Sequence, residues 1–146
     1  MASIMVTETK TPEETVNVGT DLAGKLNKND IIALYGDLGS GKTCLVKGIA
    51  RGLNVFLPVK SPSFSIINEY PGEIPLFHID FYRLAKNAEI EDTGWFEYLN
   101  SGGVVVIEWA ERVKNMLPPR RIDVYFEILN KTTRRLEIIA IDDSGN

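Results

Sequence analysis

The chain has 146 residues, 44% of them hydrophobic and 25% charged, with a formal net charge of −4 and a pI near 5.1. That length and composition suit one soluble domain with a sizeable core, and the acidic balance argues against a protein that grips nucleic acid alone through a broad basic face. The single cysteine, Cys44, excludes an internal disulfide; no run reaches the ~18 apolar residues of a membrane span, and the first ten residues lack the basic-then-apolar order of a secretory signal, so a reducing cytosol is expected.

Residues 4 to 9 suit a first strand. Thr11-Pro12-Glu13-Glu14 then opens a helix, with Thr11 as N-cap, Pro12 at the first helical position and Glu14 completing a capping box. Val18, Leu22 and Leu26 lie at i, i+4 and i+8 and predict its apolar stripe. Asn27-Lys28-Asn29-Asp30 fits the N-K-x-D pattern that reads guanine in GTPases. It stands before the glycine-rich segment described next, not after it, so it reads as a polar helix-to-strand turn and guanine loses its support.

Ile31 to Tyr35 is a short apolar run fit for a buried parallel strand. It leads into Gly36-Asp37-Leu38-Gly39-Ser40-Gly41-Lys42-Thr43, the phosphate-binding pattern G-x-x-x-x-G-K-[ST]. The glycines let successive backbone N–H groups curl around phosphate oxygens. Lys42 supplies a mobile positive charge for the β- and γ-phosphates, and Thr43 a hydroxyl for Mg²⁺. Leu45, Val46, Ile49, Ala50 and Leu53 recur at helical spacing behind the loop, so a helix N-terminus points at the same anion. A random chain of this length shows the pattern with a probability of roughly 0.005. Cys44, in the first turn of that helix, needs no chemistry of its own as a small, partly buried residue.

Ser61-Pro62-Ser63-Phe64 is a rigid, hydroxyl-rich turn. Two strands follow, around the turn Pro71-Gly72-Glu73, and predict an antiparallel hairpin at one edge of the sheet. In the second of them Phe77, Ile79 and Phe81 share an apolar face, while His78, Asp80 and Tyr82 share the other, with Arg83 at the end. His78 reads equally as a structural hydrogen-bonder. Asp80, a carboxylate near a phosphate site, is a candidate to orient a water or hold the shell of a metal.

Val104-Val105-Val106-Ile107 predicts a buried parallel strand that ends abruptly in Glu108. Ligands of open α/β sheets collect at the C-terminal ends of the strands, and an acid there is placed to hold Mg²⁺ directly or through water. Glu108 is the preferred metal-side acid, with capping of the turn at Ala110 as its alternative. Trp109 either walls the site or packs. Two closing strands follow Pro118-Pro119, over Ile122 to Ile128 and Arg134 to Asp142, and the pairs Arg120-Arg121 and Arg134-Arg135 read as solvated. The chain is thus expected to be one domain, residues 1–146, weakest in order at Met1–Ile4 and 142–146.

With these four segments in place the chain resembles the TsaE family (formerly YjeE), small P-loop ATPases of bacterial tRNA threonylcarbamoyladenosine synthesis. The resemblance runs from Thr11 to Ile139 and rests on Gly36 to Thr43, Ser61-Pro62-Ser63-Phe64, His78-Ile79-Asp80-Phe81-Tyr82-Arg83 and Ile107-Glu108-Trp109. It implies a three-layer α/β P-loop NTPase fold with a mostly parallel central sheet and an antiparallel hairpin at the edge, ATP and Mg²⁺ as ligands, and slow hydrolysis. It also implies partners of the TsaD and TsaB type, with tRNA engaged indirectly and no membrane. The family's switch carries Thr where this chain has Ser63; the hydroxyl is kept and the methyl lost. Ser40 replaces a common Ala, a change expected to be harmless.

The expected nucleotide contacts are Asp37, Leu38, Gly39, Ser40, Gly41, Lys42, Thr43, Cys44 and Ser63. Lys42, Asp80 and Glu108 are the catalytic candidates, and Thr43 and Glu108 the metal ligands. Lys60 and Arg83 are candidates to stabilise charge on the γ-phosphate, and a partner could complete the site. Two other readings use the same loop: a small-molecule kinase with Arg83 or Arg112 as lid cations, and a nucleotide-dependent binding switch with negligible hydrolysis.

Overall fold

Alternating apolar runs and helical stripes build one layered sheet. The computed structural model describes residues 2–60, 67–82 and 87–141. Its strands are β1 (Ala2–Thr9), β2 (Ile31–Tyr35), β3 (Ile67–Tyr70), β4 (Leu76–Asp80), β5 (Val104–Glu108), β6 (Arg121–Ile128) and β7 (Arg134–Ile141). The helices are α1 (Pro12–Ala23), α2 (Lys42–Gly52) and the short α3 (Asn87–Glu91), with 3₁₀ segments at Trp95–Asn100 and Ala110–Met116. Among the described residues no helix is long and apolar enough to cross a membrane.

The strand order is β1-β7-β6-β2-β5-β4-β3. The central pairs β6–β2, β2–β5 and β5–β4 are parallel. The hairpin expected at one edge is β3–β4. The other edge is antiparallel as well, through β6–β7 and β7–β1, so parallel pairing is confined to the centre. The cause is local: only a few residues separate β6 from β7, too few for the crossover that a parallel pair requires.

The two-residue period of the strands sorts the core into two faces. Ile32, Leu34, Leu76, Val104, Val106, Val124 and Leu136 pack with Leu45, Val46 and Ile49 of α2. Ile31, Ala33, Phe77, Ile79, Val105 and Ile107 pack on the opposite side with Trp95, Leu99 and Val113. These are the three layers. By the same parity His78, Asp80 and Glu108 belong to the face that carries α1 and α2, the side on which the phosphate loop lies.

α1 begins as expected: the Thr11 hydroxyl accepts the Glu14 N–H at 3.1 Å. Glu14 reaches one residue further back than a regular capping box, accepting the Lys10 N–H at 2.7 Å. The buried stripe is Thr15, Val16, Gly19, Leu22 and Ala23, with Val18 only half-buried and Leu26 beyond the helix end. Closest approach to α2 sets this face. A Cβ at Gly19 would stand 2.3 Å from the Leu45 carbonyl oxygen, and one at Gly48 1.9 Å from that of Val16. Glycine is required at both for the backbones to meet. The Asn27–Asp30 segment is the expected turn, closed by the Asp30 carboxylate accepting the Asn27 N–H at 2.7 Å.

Candidate functional site

The buried β2 delivers the chain to Gly36, and α2 carries it away from Lys42. Between them Gly41 precedes α2 with φ 106°, a left-handed conformation that favours glycine, and no side chain caps the helix. The first N–H groups of a helix have no intrahelical acceptor. At such a start the helix dipole favours an anion. Asp37, Leu38 and Gly39 are exposed, Gly41, Thr43 and Cys44 half-buried.

Lys42 is only 5% exposed. Its Nζ donates to the Gly36 carbonyl at 2.6 Å and stands 3.9 Å from the centroid of the Trp109 ring. Burial holds its pKa below the ordinary lysine value, against the opposing carboxylates of Glu108, Glu111, Asp80 and Asp37. Trp109 follows Glu108 in the left-handed region (φ 57°) and turns the chain so that its ring faces the loop. It also packs on Tyr82, with centroids 5.0 Å apart. Of the two readings of Trp109, packing is observed, since it lies half-buried against the core on the Trp95 side of the sheet, and its contact with Lys42 places it beside the loop as well.

Glu108 ends β5, opposite Leu34 of β2 and Asp80 of β4 in the ladders. It is 4% exposed, and its Oε2 is hydrogen-bonded to Nε2 of the fully buried His78. Asp80 Oδ1 accepts the Tyr82 N–H at 2.9 Å. Burial raises the Asp80 pKa above the usual aspartate value; the Tyr82 N–H opposes the shift, Glu108 adds to it, and His78 and Lys42 oppose it. Lys42, Asp80 and Glu108, far apart in sequence, thus share one electrostatic environment at the C-terminal ends of β2, β5 and β4.

Two anchors of the loop were not foreseen. Glu111 Oε2 accepts the Gly36 N–H at 3.2 Å. Arg134 grips the Gly39 carbonyl with Nε at 3.2 Å and Nη2 at 3.1 Å, and its Nη1 donates to the Asn130 carbonyl at 2.8 Å. The expectation that Arg134 is merely solvated is corrected here: it ties the β6–β7 turn to the phosphate loop. No local signal marks it, because its partner is 95 residues away. Ser40 is buried in the loop.

Ser63, with the rest of Ser61-Pro62-Ser63-Phe64, and Arg83 lie outside the described residues. Lys60 precedes the first of these segments, with its backbone N–H held by the Tyr70 hydroxyl at 3.2 Å. Arg112 donates to the Tyr82 carbonyl at 3.2 Å. Beside the loop a cavity of about 310 Å³ is lined by Thr11, Pro12, Thr15, Gly41, Cys44 and Arg134, among others. Among the described residues no group of three or more His, Cys, Asp or Glu side chains forms a metal cage.

Comparison with known proteins agrees with this geometry. The family profile described as "Threonylcarbamoyl adenosine biosynthesis protein TsaE" matches residues 9–136. The chain is 38% identical over 134 residues to the tRNA threonylcarbamoyladenosine biosynthesis protein TsaE of Bacillus subtilis, covering 91% of this chain and 84% of that one. It is 35% identical over 129 residues to the protein of the same name from Treponema pallidum, covering 88% and 96%. The crystal structure of Bacillus subtilis YdiB superposes with a TM-score of 0.80 at 32% identity, over 98% of this chain and 89% of that one. Sequence and fold therefore agree, and the chain belongs to the TsaE family.

Proposed function

We propose that this protein is the ATP-binding and ATP-hydrolysing component of the machinery that makes N6-threonylcarbamoyladenosine at position 37 of tRNA, and that it drives turnover of a TsaD–TsaB-type complex. Support for the pathway comes from the family and from the names of the relatives. Support for the chemistry comes from one observation above the others: the loop lysine Lys42 stands over the ring of Trp109, the residue that follows the strand-end acid Glu108, and Glu108 lies opposite Asp80 in the sheet. A cation that binds phosphate and carboxylates that favour a metal thus flank the same uncapped helix start.

On this reading the backbone N–H groups from Asp37 to Thr43 hold the β-phosphate. Lys42 leaves the Gly36 carbonyl and bridges the β- and γ-phosphates. Thr43 and Glu108 would hold Mg²⁺, which when bound offsets negative charge on the phosphate oxygens. Asp80 orients the attacking water on the γ side. The base takes the cavity beside Thr11, Pro12 and Cys44. Arg112 is engaged with the Tyr82 carbonyl rather than carried on a lid, which favours water over an organic acceptor.

Calorimetry with ATP and Mg²⁺, followed by phosphate release with and without TsaB- and TsaD-type partners, tests this. Saturable uptake that Lys42→Ala abolishes is expected, with slow release alone and faster release with the partners. No nucleotide uptake, equal release in both conditions, or transfer of the phosphate to an acceptor would overturn it.

A further inference from the structure

The turn between α1 and β2, the 3₁₀ segment Trp95–Asn100 and the start of β6 enclose a cavity of about 660 Å³. It lies at the opposite end of the sheet from the phosphate loop. Ile31, the first residue of β2, lines it, whereas Gly36, just past the last, opens the loop. That is a separation of roughly 16 Å along the strand. The volume is that of a small-ligand site.

Its lining is basic: Lys25, Lys28, Arg120 and Arg121 against the single carboxylate of Asp30. Arg121 is committed to Asp123 at 2.9 Å and to the Pro118 carbonyl at 3.1 Å. Asp30 is committed to the Asn27 N–H. Lys25, Lys28 and Arg120 are exposed, and among the described residues none of them takes part in an ion pair. Among the described residues these three cations therefore stand without a carboxylate partner.

Phe96 is on the same lining, 46% exposed, with its ring stacked on the buried Trp95 at 4.2 Å and 30°. The amide of Asn100 lies on the same lining. Cations for phosphate, an amide for a base edge and a backed aromatic face for stacking form the set by which proteins hold nucleotides of single-stranded RNA. An acidic peptide would satisfy the cations and leave the aromatic face and the amide without a role.

We propose that this cavity binds a phosphorylated nucleoside, presented by an RNA strand or as a free mononucleotide, at a site separate from the phosphate loop. The RNA source rests on the proposed place of the chain in tRNA modification; the chemistry of the cavity does not.

The test uses the full chain with Mg²⁺ and a non-hydrolysable ATP analogue saturating the loop. The probes are a fluorescent unmodified tRNA transcript and AMP. Lys28→Glu/Arg120→Glu is expected to weaken tRNA binding about tenfold or more and to flatten the salt dependence of log affinity by about 1–2. Phe96→Ala is expected to weaken it by roughly 5- to 100-fold. Uptake of the ATP analogue should be unchanged in these variants, which also shows that they fold. AMP uptake sensitive to the same substitutions, without tRNA binding, assigns the site to the free nucleotide and supports the proposal. Binding of neither probe, binding indifferent to the substitutions, or occupation of the site by polyglutamate in place of both overturns it. Loss of ATP uptake by the wild-type chain with tRNA binding intact would sink the ATPase reading and leave this one standing.

Discussion

His78 and Glu108 form a buried pair across neighbouring strands, Nε2 to Oε2, on the sheet face that carries the phosphate loop. The pair leaves Glu108 Oε1 as the carboxylate oxygen not engaged by the imidazole, and it fixes the rotamer of a side chain that would otherwise be a free acid at a strand end. His78→Ala strands a buried carboxylate and opens a void, so a loss of roughly 2–4 kcal/mol in urea unfolding is expected. With ATP as substrate, turnover should fall by about tenfold or more while nucleotide affinity moves little, since positioning and not binding is lost. His78→Gln, which can still donate an N–H, should restore part of the turnover. Equal losses of turnover in both variants would show that an N–H donor at this position is not what turnover needs.

Lys42 Nζ lies 3.9 Å from the Trp109 ring centroid. On the proposed reading, nucleotide binding moves this ammonium from the Gly36 carbonyl to phosphate and so changes the environment of Trp109. Titration with Mg·ATP should shift tryptophan emission, and Trp109→Phe should remove most of the response, the buried Trp95 reporting little. Lys42→Ala should abolish it along with binding. Trp109→Ala removes a contact worth about 0.5–2 kcal/mol that Lys42 makes in the ligand-free protein, so unfolding stability should fall by about that amount. A Trp109→Phe protein that keeps the full emission response would refute this arrangement.

Asp80 has a raised pKa because it is buried, with Glu108 adding to the effect. The folded state therefore holds the Asp80 proton to higher pH than the unfolded chain does. The stability this contributes is fully present below the ordinary aspartate value and is lost as pH rises through the folded-state value. Asp80→Asn should thus gain stability relative to wild type as pH rises above about 4, measured by denaturant melts across pH. On the proposed reading the Asp80 carboxylate orients the attacking water, so the acid limb of the pH–rate profile should lie above the usual aspartate range. Asp80→Asn should lower turnover across the profile and leave ATP uptake in place.

Gly48 sits where α2 meets α1, with the Val16 carbonyl oxygen 1.9 Å from the position a Cβ would take. Gly48→Ala must push the helices apart, at a cost of about 3 kcal/mol or more and a fall in melting temperature of roughly 10 °C. Because α2 starts at Lys42, ATP uptake should weaken too. Gly24→Ala is the control. A Cβ there meets nothing nearer than the Asp21 carbonyl oxygen at 3.5 Å, and its φ is −64°, so melting should change by no more than about 2 °C.

Local chemistry alone determined a good part of this protein. Gly36 to Thr43 announces its loop because anion binding by backbone N–H groups demands glycine at set spacing, and Val104 to Ile107 announces a buried strand because nothing polar interrupts it. Thr11 capping α1 and the Asn27–Asp30 turn are equally local, since their hydrogen bonds span three residues. What only the tertiary structure decided depends on contacts between distant segments: His78 with Glu108, Glu111 with Gly36, Arg134 with Gly39, and the antiparallel wing β6–β7–β1. Parity placed His78 on the face of Asp80, but which strand lies beside it is a property of the sheet, and the register of that neighbour turned a possible structural histidine into the partner of the strand-end acid.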